Sequence, residues 1–325
     1  MTKRWTAQDI PSQRGRTIVV TGTGGLGFED ALALARAGGD VILAGRNPAK
    51  GKEAVDRIRA SVPNASISFE VLDLARLDSV AAFGARLGSI HDKIDILINN
   101  AGVMTPPRRQ ITQDGYELQF GVNYLAHFAL SAHLLPWLRR GRNPRVVTLS
   151  SVAARAGTID FDDLQSERSY KPMRAYSQSK LACLMFAFEL QRRSDVAGWG
   201  IESLAAHPGI ARTDLLHNAP GRSSTAGIAR SLLWFLFQPA SRGALPTLFA
   251  ATSPDAQAGG YFGPGGLGET RGFPAAATPP EAALEDDVAR RLWNLSERLA
   301  AVDFGAEGDV PETVARHVSA LSAKA

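Results

Sequence analysis

The chain has 325 residues, 45% hydrophobic and 21% charged, and 36 Lys and Arg against 32 Asp and Glu leave a net charge of +4. That length holds one large α/β domain or two small ones, and the composition is that of a soluble globular protein, not of a disordered or fibrous one. Basic residues fall in scattered pairs (Lys3–Arg4, Arg108–Arg109, Arg139–Arg140, Arg192–Arg193), which argues against nucleic acid as a partner. The one cysteine, Cys183, excludes an intrachain disulfide and suits a reducing cytoplasm, the expected location. It lies in an apolar helical stretch, where a packed thiol is expected rather than a nucleophile. Met1–Arg16 is polar and lacks the apolar core of a signal peptide. The most apolar run, Leu232–Phe237, is too short for a transmembrane segment.

In chain order, strands are expected at Thr17–Val20, Val41–Ala44, Ile67–Val71, Ile94–Ile98, Val146–Leu149, Ile201–Leu204 and the short Gly260–Phe262. Helical patterns lie between them at Phe28–Ala37, Gly51–Ser61, Asp78–Leu87, Glu117–Arg140 and Ala175–Arg193, and Gly38–Gly39 stops the first. Such alternation predicts an α/β fold, a doubly wound parallel sheet of about seven strands with helices on both faces. The strands are rich in Val and Ile without polar alternation, as burial on both sides requires. Past Thr213 come an aromatic helical segment (Ile228–Gln238), a Gly/Pro-rich loop (Gly259–Pro280) and a late helix with Leu284, Val288, Leu292, Leu295 and Leu299 on one stripe. There are no internal repeats and no strong linker, so residues 1–300 are read as a single domain and 301–325 as a tail.

Thr21-Gly22-Thr23-Gly24-Gly25-Leu26-Gly27 follows the first strand and opens the first helix. A dinucleotide fold needs glycines there: the turn is tight, the backbone approaches the pyrophosphate, and the helix N-terminus points its free amides at the phosphates. Gly22, Gly24 and Gly27 satisfy G-x-G-x-x-G in that context. The second strand runs into Ala44-Gly45-Arg46-Asn47, with no acid to hold a ribose 2′-hydroxyl. Arg46 would instead meet a 2′-phosphate, so NADP is the expected cofactor; the plainer alternative is an exposed arginine in a turn.

In Tyr176-Ser177-Gln178-Ser179-Lys180, residues four apart share a helix face. A cation beside a phenol favours its ionised form and makes it a usable general acid or base. Alone, Tyr-x-x-x-Lys is common by chance.

Taken together, Thr21–Gly27, Asp73-Leu74, Asn99-Asn100-Ala101-Gly102, Asn123, Ser150-Ser151, Tyr176 with Lys180, and Pro208-Gly209 with Thr213 resemble, in order, the short-chain dehydrogenase/reductase family. The resemblance runs over roughly residues 15 to 300. The insert Gly157–Leu164 between serine and tyrosine is similar to the retinol-dehydrogenase-like branch. The resemblance implies a Rossmann-type fold and an NADP(H)-dependent enzyme interconverting an alcohol with an aldehyde or ketone. It implies that Tyr176 exchanges the proton with the substrate oxygen, Ser151 hydrogen-bonds that oxygen, Lys180 holds the nicotinamide ribose and Asn123 supports a water relay. The nucleotide would lie along Gly22, Thr23, Gly25, Leu26, Gly27, Arg46, Asn47, Asp73, Leu74, Asn100, Ala101, Gly102, Pro208, Gly209, Ala211 and Thr213. For Ser150 a structural role at the strand end is the better reading. His207 either touches the ligands or is packed. His91, His127, His133, His217 and His317 lack metal-like spacing, and no metal is expected.

One departure stands out. The family has three residues between its first glycine and the following G-x-G; here only Thr23 and Gly24 separate Gly22 from Gly25-Leu26-Gly27. The turn that cradles the pyrophosphate is one residue short, which leaves a non-catalytic nucleotide-binding or interaction protein as the alternative. Trp234-Phe235-Leu236-Phe237 falls where the family has its variable substrate lid (about 213–280), which suggests a lipophilic substrate; core or subunit contact is the competing account. Peripheral membrane binding through Leu232–Phe237 lacks the flanking cations it would need. The expected assembly is a homodimer or homotetramer.

Overall fold

The computed structural model describes residues 4–211 and 238–305. Strands β1 (Thr17–Thr21), β2 (Asp40–Gly45), β3 (Ile67–Val71), β4 (Ile96–Asn99), β5 (Arg145–Leu149), β6 (Glu202–Ala206), β7 (Tyr261–Gly266) and β8 (Arg271–Ala276) form one sheet in the order β3-β2-β1-β4-β5-β6-β7-β8. The pairs from β3 through β7 are parallel, and β8 joins antiparallel. Helices α1 (Gly25–Arg36), α2 (Pro48–Ser61), α3 (Leu77–Ile90), α4 (Ala126–Leu138) and α5 (Pro172–Ala197) carry the crossovers. This is the doubly wound Rossmann arrangement.

Successive strand residues point to opposite faces, and here both faces are apolar. Val19, Ile42, Leu97 and Val146 pack with α3, α4 and α5. Ile18, Val20, Val41, Leu43, Ile96, Ile98 and Val147 pack with α1, α2 and the helix Leu245–Thr252. That two-sided burial is why the strands read as unbroken Val/Ile runs.

Several expectations are corrected. The sheet has eight strands rather than about seven, because the Gly/Pro-rich stretch Gly259–Pro280 contains the whole β7–β8 hairpin, of which only the start of β7 was expected as a strand. Pro264 faces Pro274 there, and the register shifts between Pro264 and Gly266; Pro274 lies on the edge strand β8, and Pro264 lies past Tyr261 and Phe262, the β7 residues that pair with β6. The helix expected over Glu117–Arg140 opens with a π-helical turn, Phe120–Leu125, before α4 begins. Leu284 is off the late stripe: it precedes the last helix (Asp286–Ala300) and is 58% exposed, while Leu292 and Trp293 are buried. Folded structure also extends past residue 300, since Phe304 is buried with its ring centroid 4.4 Å from that of Trp293. The aromatic segment 228–237 and most of the tail, 306–325, lie outside the described residues.

Asp30 on α1 is fully buried, and neither carboxyl oxygen has a hydrogen-bond partner among the described residues. Burial, aided by the Glu29 charge, holds its pKa well above the ordinary value. A carboxyl whose pKa is raised in the folded state costs stability as pH climbs above the unfolded value near 4. Each tenfold weakening of the acid on folding is worth about 1.4 kcal/mol. The Asp30→Asn variant is therefore expected to be more stable than the parent at pH 7.5, with an advantage that shrinks towards pH 4. Urea unfolding across that range checks this; parallel pH profiles would show that Asp30 ionises without cost.

Candidate functional site

The predicted residues converge on the ends of the parallel strands where ligands bind in doubly wound sheets. After β1, Gly22 has φ 97° and Gly25, the first residue of α1, has φ 53°, both glycine conformations. A Cβ on Gly27 would collide with the Gly22 carbonyl oxygen, so the helix start lies directly against the turn. Leu26 packs near Gly243, and Thr23 near Gly45.

What holds this turn comes from a distant strand end. Asn100 donates from Nδ2 to the Thr21 carbonyl (2.6 Å), and the amides of Asn100 and Ala101 both donate to Thr21 Oγ1 (2.9 Å each). With its lone pairs used, the Thr21 hydroxyl donates to His127 Nε2 (2.9 Å). His127 Nδ1 then carries the proton and donates to the Asn123 carbonyl (2.9 Å). Burial, with a smaller push from the Lys180 charge, drops the His127 pKa to about 4, so the ring is neutral in this tautomer.

Asn123 lies in the π-helical turn. Its Oδ1 accepts from Val103 N–H (2.7 Å), and its Nδ2 donates to Val103 O and Ser179 Oγ (3.0 Å each). Its carbonyl also accepts from Cys183 Sγ (3.2 Å), and burial pushes that thiol up, as for a packed cysteine. Beside the asparagine, a Cβ on Gly102 would fall 3.0 Å from Asn123 Oδ1 and 3.8 Å from Lys180 Nζ.

Tyr176 and Lys180 are both 5% exposed on α5. Lys180 Nζ donates to the Leu149 carbonyl at the end of β5 (2.9 Å), one of its three donors, and makes no other hydrogen bond to a described residue. The Tyr176 hydroxyl makes none. Ser151, two residues past β5, caps the short 3₁₀ turn Val152–Ala156, its Oγ accepting from Ala153 N–H (3.2 Å). Ser150 donates to the Lys180 carbonyl (2.7 Å), the structural role expected of it. Gln178, inside the same pentapeptide, grips the insert: its side chain accepts from Asp160 N–H (2.9 Å) and donates to Leu164 O (3.0 Å).

The remaining predicted positions divide. Arg46 is exposed beyond β2 and makes no hydrogen bond or ion pair with a described residue. Asn47 has a structural task, capping α2 by accepting from Ala49 and Lys50 N–H (3.0 and 3.1 Å). Asp73 accepts from Ala75 N–H (3.0 Å), and Leu74 is buried in the core. Gly209 follows Pro208 with φ 63°, and Ala211 bridges to Gln238. Thr213 lies outside the described residues. No cluster of three or more His, Cys, Asp or Glu able to hold a metal occurs among the described residues, and no described helix is long and apolar enough to cross a membrane.

Sequence reasoning missed the Thr21–His127 link, although His127 sits one helical turn after Asn123, a spacing that signals a shared face. It also missed Arg155 and Glu269, which no local pattern marks.

The sequence pattern of the short chain dehydrogenase family matches residues 16–222. Retinol dehydrogenase 13 of Homo sapiens is 41% identical over 298 residues, 89% of this chain and 86% of that one. Polyprenol dehydrogenase of Mus musculus is 39% identical over 301 residues, 91% and 87% of the two chains. A crystal structure of an uncharacterised protein from Mycobacterium paratuberculosis superposes with a TM-score of 0.77 at 37% identity, covering 93% of this chain and all of that one. With the glycine turn, Ser151, Tyr176 and Lys180 all gathered at the carboxyl ends of the parallel strands, the chain belongs to the short-chain dehydrogenase/reductase family of oxidoreductases, in its retinol-dehydrogenase-like branch.

Proposed function

We propose that this protein is an NADP(H)-dependent oxidoreductase interconverting an alcohol and a carbonyl on a lipophilic small molecule. The observation that carries the reading is the buried Lys180 ammonium between the end of β5 and Gly102, one helical turn from Tyr176 and with two donors left over. Those donors and the side-chain-free cradle of Gly22 and Gly27 fit a nicotinamide dinucleotide. When bound, it supplies or accepts the hydride. The chain's own groups do the rest. Tyr176 passes a proton to or from the substrate oxygen, and Ser151 hydrogen-bonds that oxygen as its charge changes. Lys180 orients the ribose and keeps a positive charge beside the phenol. The lipophilic class rests on the two mammalian relatives, named for retinol and polyprenol, both apolar alcohols.

Arg46 supports the choice of NADP. It is exposed, unengaged and directly past β2, where a 2′-phosphate would lie. NADPH is expected to bind more tightly than NADH, and Arg46→Asp to weaken NADPH by at least roughly tenfold, the loss of a charge-assisted hydrogen bond. Isothermal titration of both nucleotides checks this. Equal binding of NADH by the parent would make Arg46 a plain surface residue. The short glycine turn favours a second reading, a nucleotide-binding protein without turnover, which the same titration followed by an activity assay separates from the first.

A further inference from the structure

Glu269 stands between β7 and β8 with φ 63°. Its Oε2 lies 2.6 Å from the Arg155 guanidinium and 3.0 Å from His207 Nε2, and its Oε1 accepts from Thr278 N–H at 3.0 Å. Arg155 belongs to the 3₁₀ turn that Ser151 caps, and it also donates to the Gly268 carbonyl (3.3 Å). His207 immediately precedes Pro208–Gly209. One carboxylate thus joins the turn after the serine to the turn expected at the nicotinamide.

The chemistry of the cluster is determined by its donors. Gly209 N–H donates to His207 Nδ1 (3.2 Å), so that nitrogen is bare and Nε2 carries the proton that Glu269 accepts. His207 has no exposed surface, and burial lowers its pKa to about 4 despite the Glu269 contact, so the ring is neutral. Burial works against ionisation of Glu269, but Thr278 N–H, His207 and Arg155 outweigh it and hold the carboxyl below its usual value. The hairpin also touches this turn through its backbone. Ile210 N–H donates to Thr270 O (2.8 Å), a Cβ on Gly209 would collide with that same oxygen, and one on Gly263 would collide with the His207 ring.

We propose that Glu269 is a positioning residue: by tying Arg155 to His207 it sets the separation between the Ser151 hydroxyl and the Pro208–Gly209 turn. The proposal rests on the reading of those two turns as the substrate-oxygen and nicotinamide sides of an active site. Its effect is geometric. A shift of about 1 Å in a reacting constellation can cost roughly 100-fold, and loosening one tie of several is expected to cost about a tenth of that.

The test uses the full chain with Glu269→Gln, Arg155→Met and the double variant. Hydrogen–deuterium exchange is measured without ligand, and kcat and KM are measured for NADPH-dependent reduction of decanal. Glu269→Gln is expected to speed exchange at both 152–157 and 207–211 and to lower kcat about tenfold, leaving KM for NADPH within about twofold. Glu269→Asp restores part of kcat, and the double variant is no worse than Glu269→Gln alone, because both single changes cut the same tie. Exchange that speeds up only within 261–278 with kcat unchanged, or losses that simply add, would overturn the proposal. If Glu269→Gln does not fold, Arg155→Met, a change at a partly exposed side chain, carries the same test. A parent inactive towards decanal and other aliphatic aldehydes would count against the oxidoreductase reading alone, and exchange would still decide whether the tie exists.

Discussion

Tyr176→Phe is expected to bind NADPH as the parent does and to lose turnover by at least about 100-fold, the usual loss when a general acid or base is removed. The substitution is unusually clean here. The ring is 5% exposed, so phenylalanine fills the same space. The hydroxyl has no hydrogen bond to a described residue, so its removal strands no partner and takes nothing from the fold. The groups read as holding the nucleotide, Lys180 and the glycine turn, are anchored independently through Leu149, Asn100 and Thr21. Binding is read by fluorescence titration and turnover by NADPH consumption. A purified variant with full activity on any parent substrate would remove Tyr176 from the mechanism.

Inserting one residue between Thr23 and Gly24 is expected to tighten NADPH binding roughly 10- to 150-fold, equivalent to about 1.5–3 kcal/mol for one charge-assisted hydrogen bond restored. Phosphate binding at a helix N-terminus depends on where its free amides point. In this turn Gly24 is extended at the N-cap without a side-chain cap, and Gly25 is left-handed at the first helical position. Gly27 lies so close to the Gly22 carbonyl that the loop has no slack. The added residue restores the family spacing and lets the amides of Gly25, Leu26 and Gly27 turn towards the phosphates. If the insertion abolishes binding while the parent binds well, the short turn is an adapted site. If neither form binds a nicotinamide nucleotide, the interaction-protein reading replaces the enzyme.

Much of this architecture is legible in the sequence because the physics is local. Apolar strands such as Val146–Leu149 announce two-sided burial, and the helical spacing of Tyr176 and Lys180 places them on one face, although only the ordered set of family motifs gave that pair a meaning. What stayed hidden depends on partners far along the chain. Asn47, read as a nucleotide contact, also caps α2, a task the sequence reading did not assign it. β8 hides behind Gly272 and Pro274, which are poor strand formers; Pro274 faces Pro264, and Ala275 and Ala276 carry the ladder against Gly263 and Phe262. Glu269 reaches His207 across 62 positions, a pairing no periodicity encodes.

The glycine turn is contiguous in sequence, yet the bonds that shape it are not. Thr21 is secured by Asn100, 79 residues on, and by His127, 106 residues on. Asn100 directly follows β4, whose Ile96 to Ile98 pair in a seam with Ile18 to Val20 of β1, and His127 is carried in by α4. Closing so long a loop costs chain entropy before any contact repays it, and topologies rich in such pairings fold slowly. The strand that emerges first from synthesis therefore waits for its inner neighbour, and the cradle it carries takes shape only when that seam closes. The glycine cradle is therefore expected among the last parts of the fold to gain protection in pulse-labelled exchange during refolding, though its signature is written at the start of the chain.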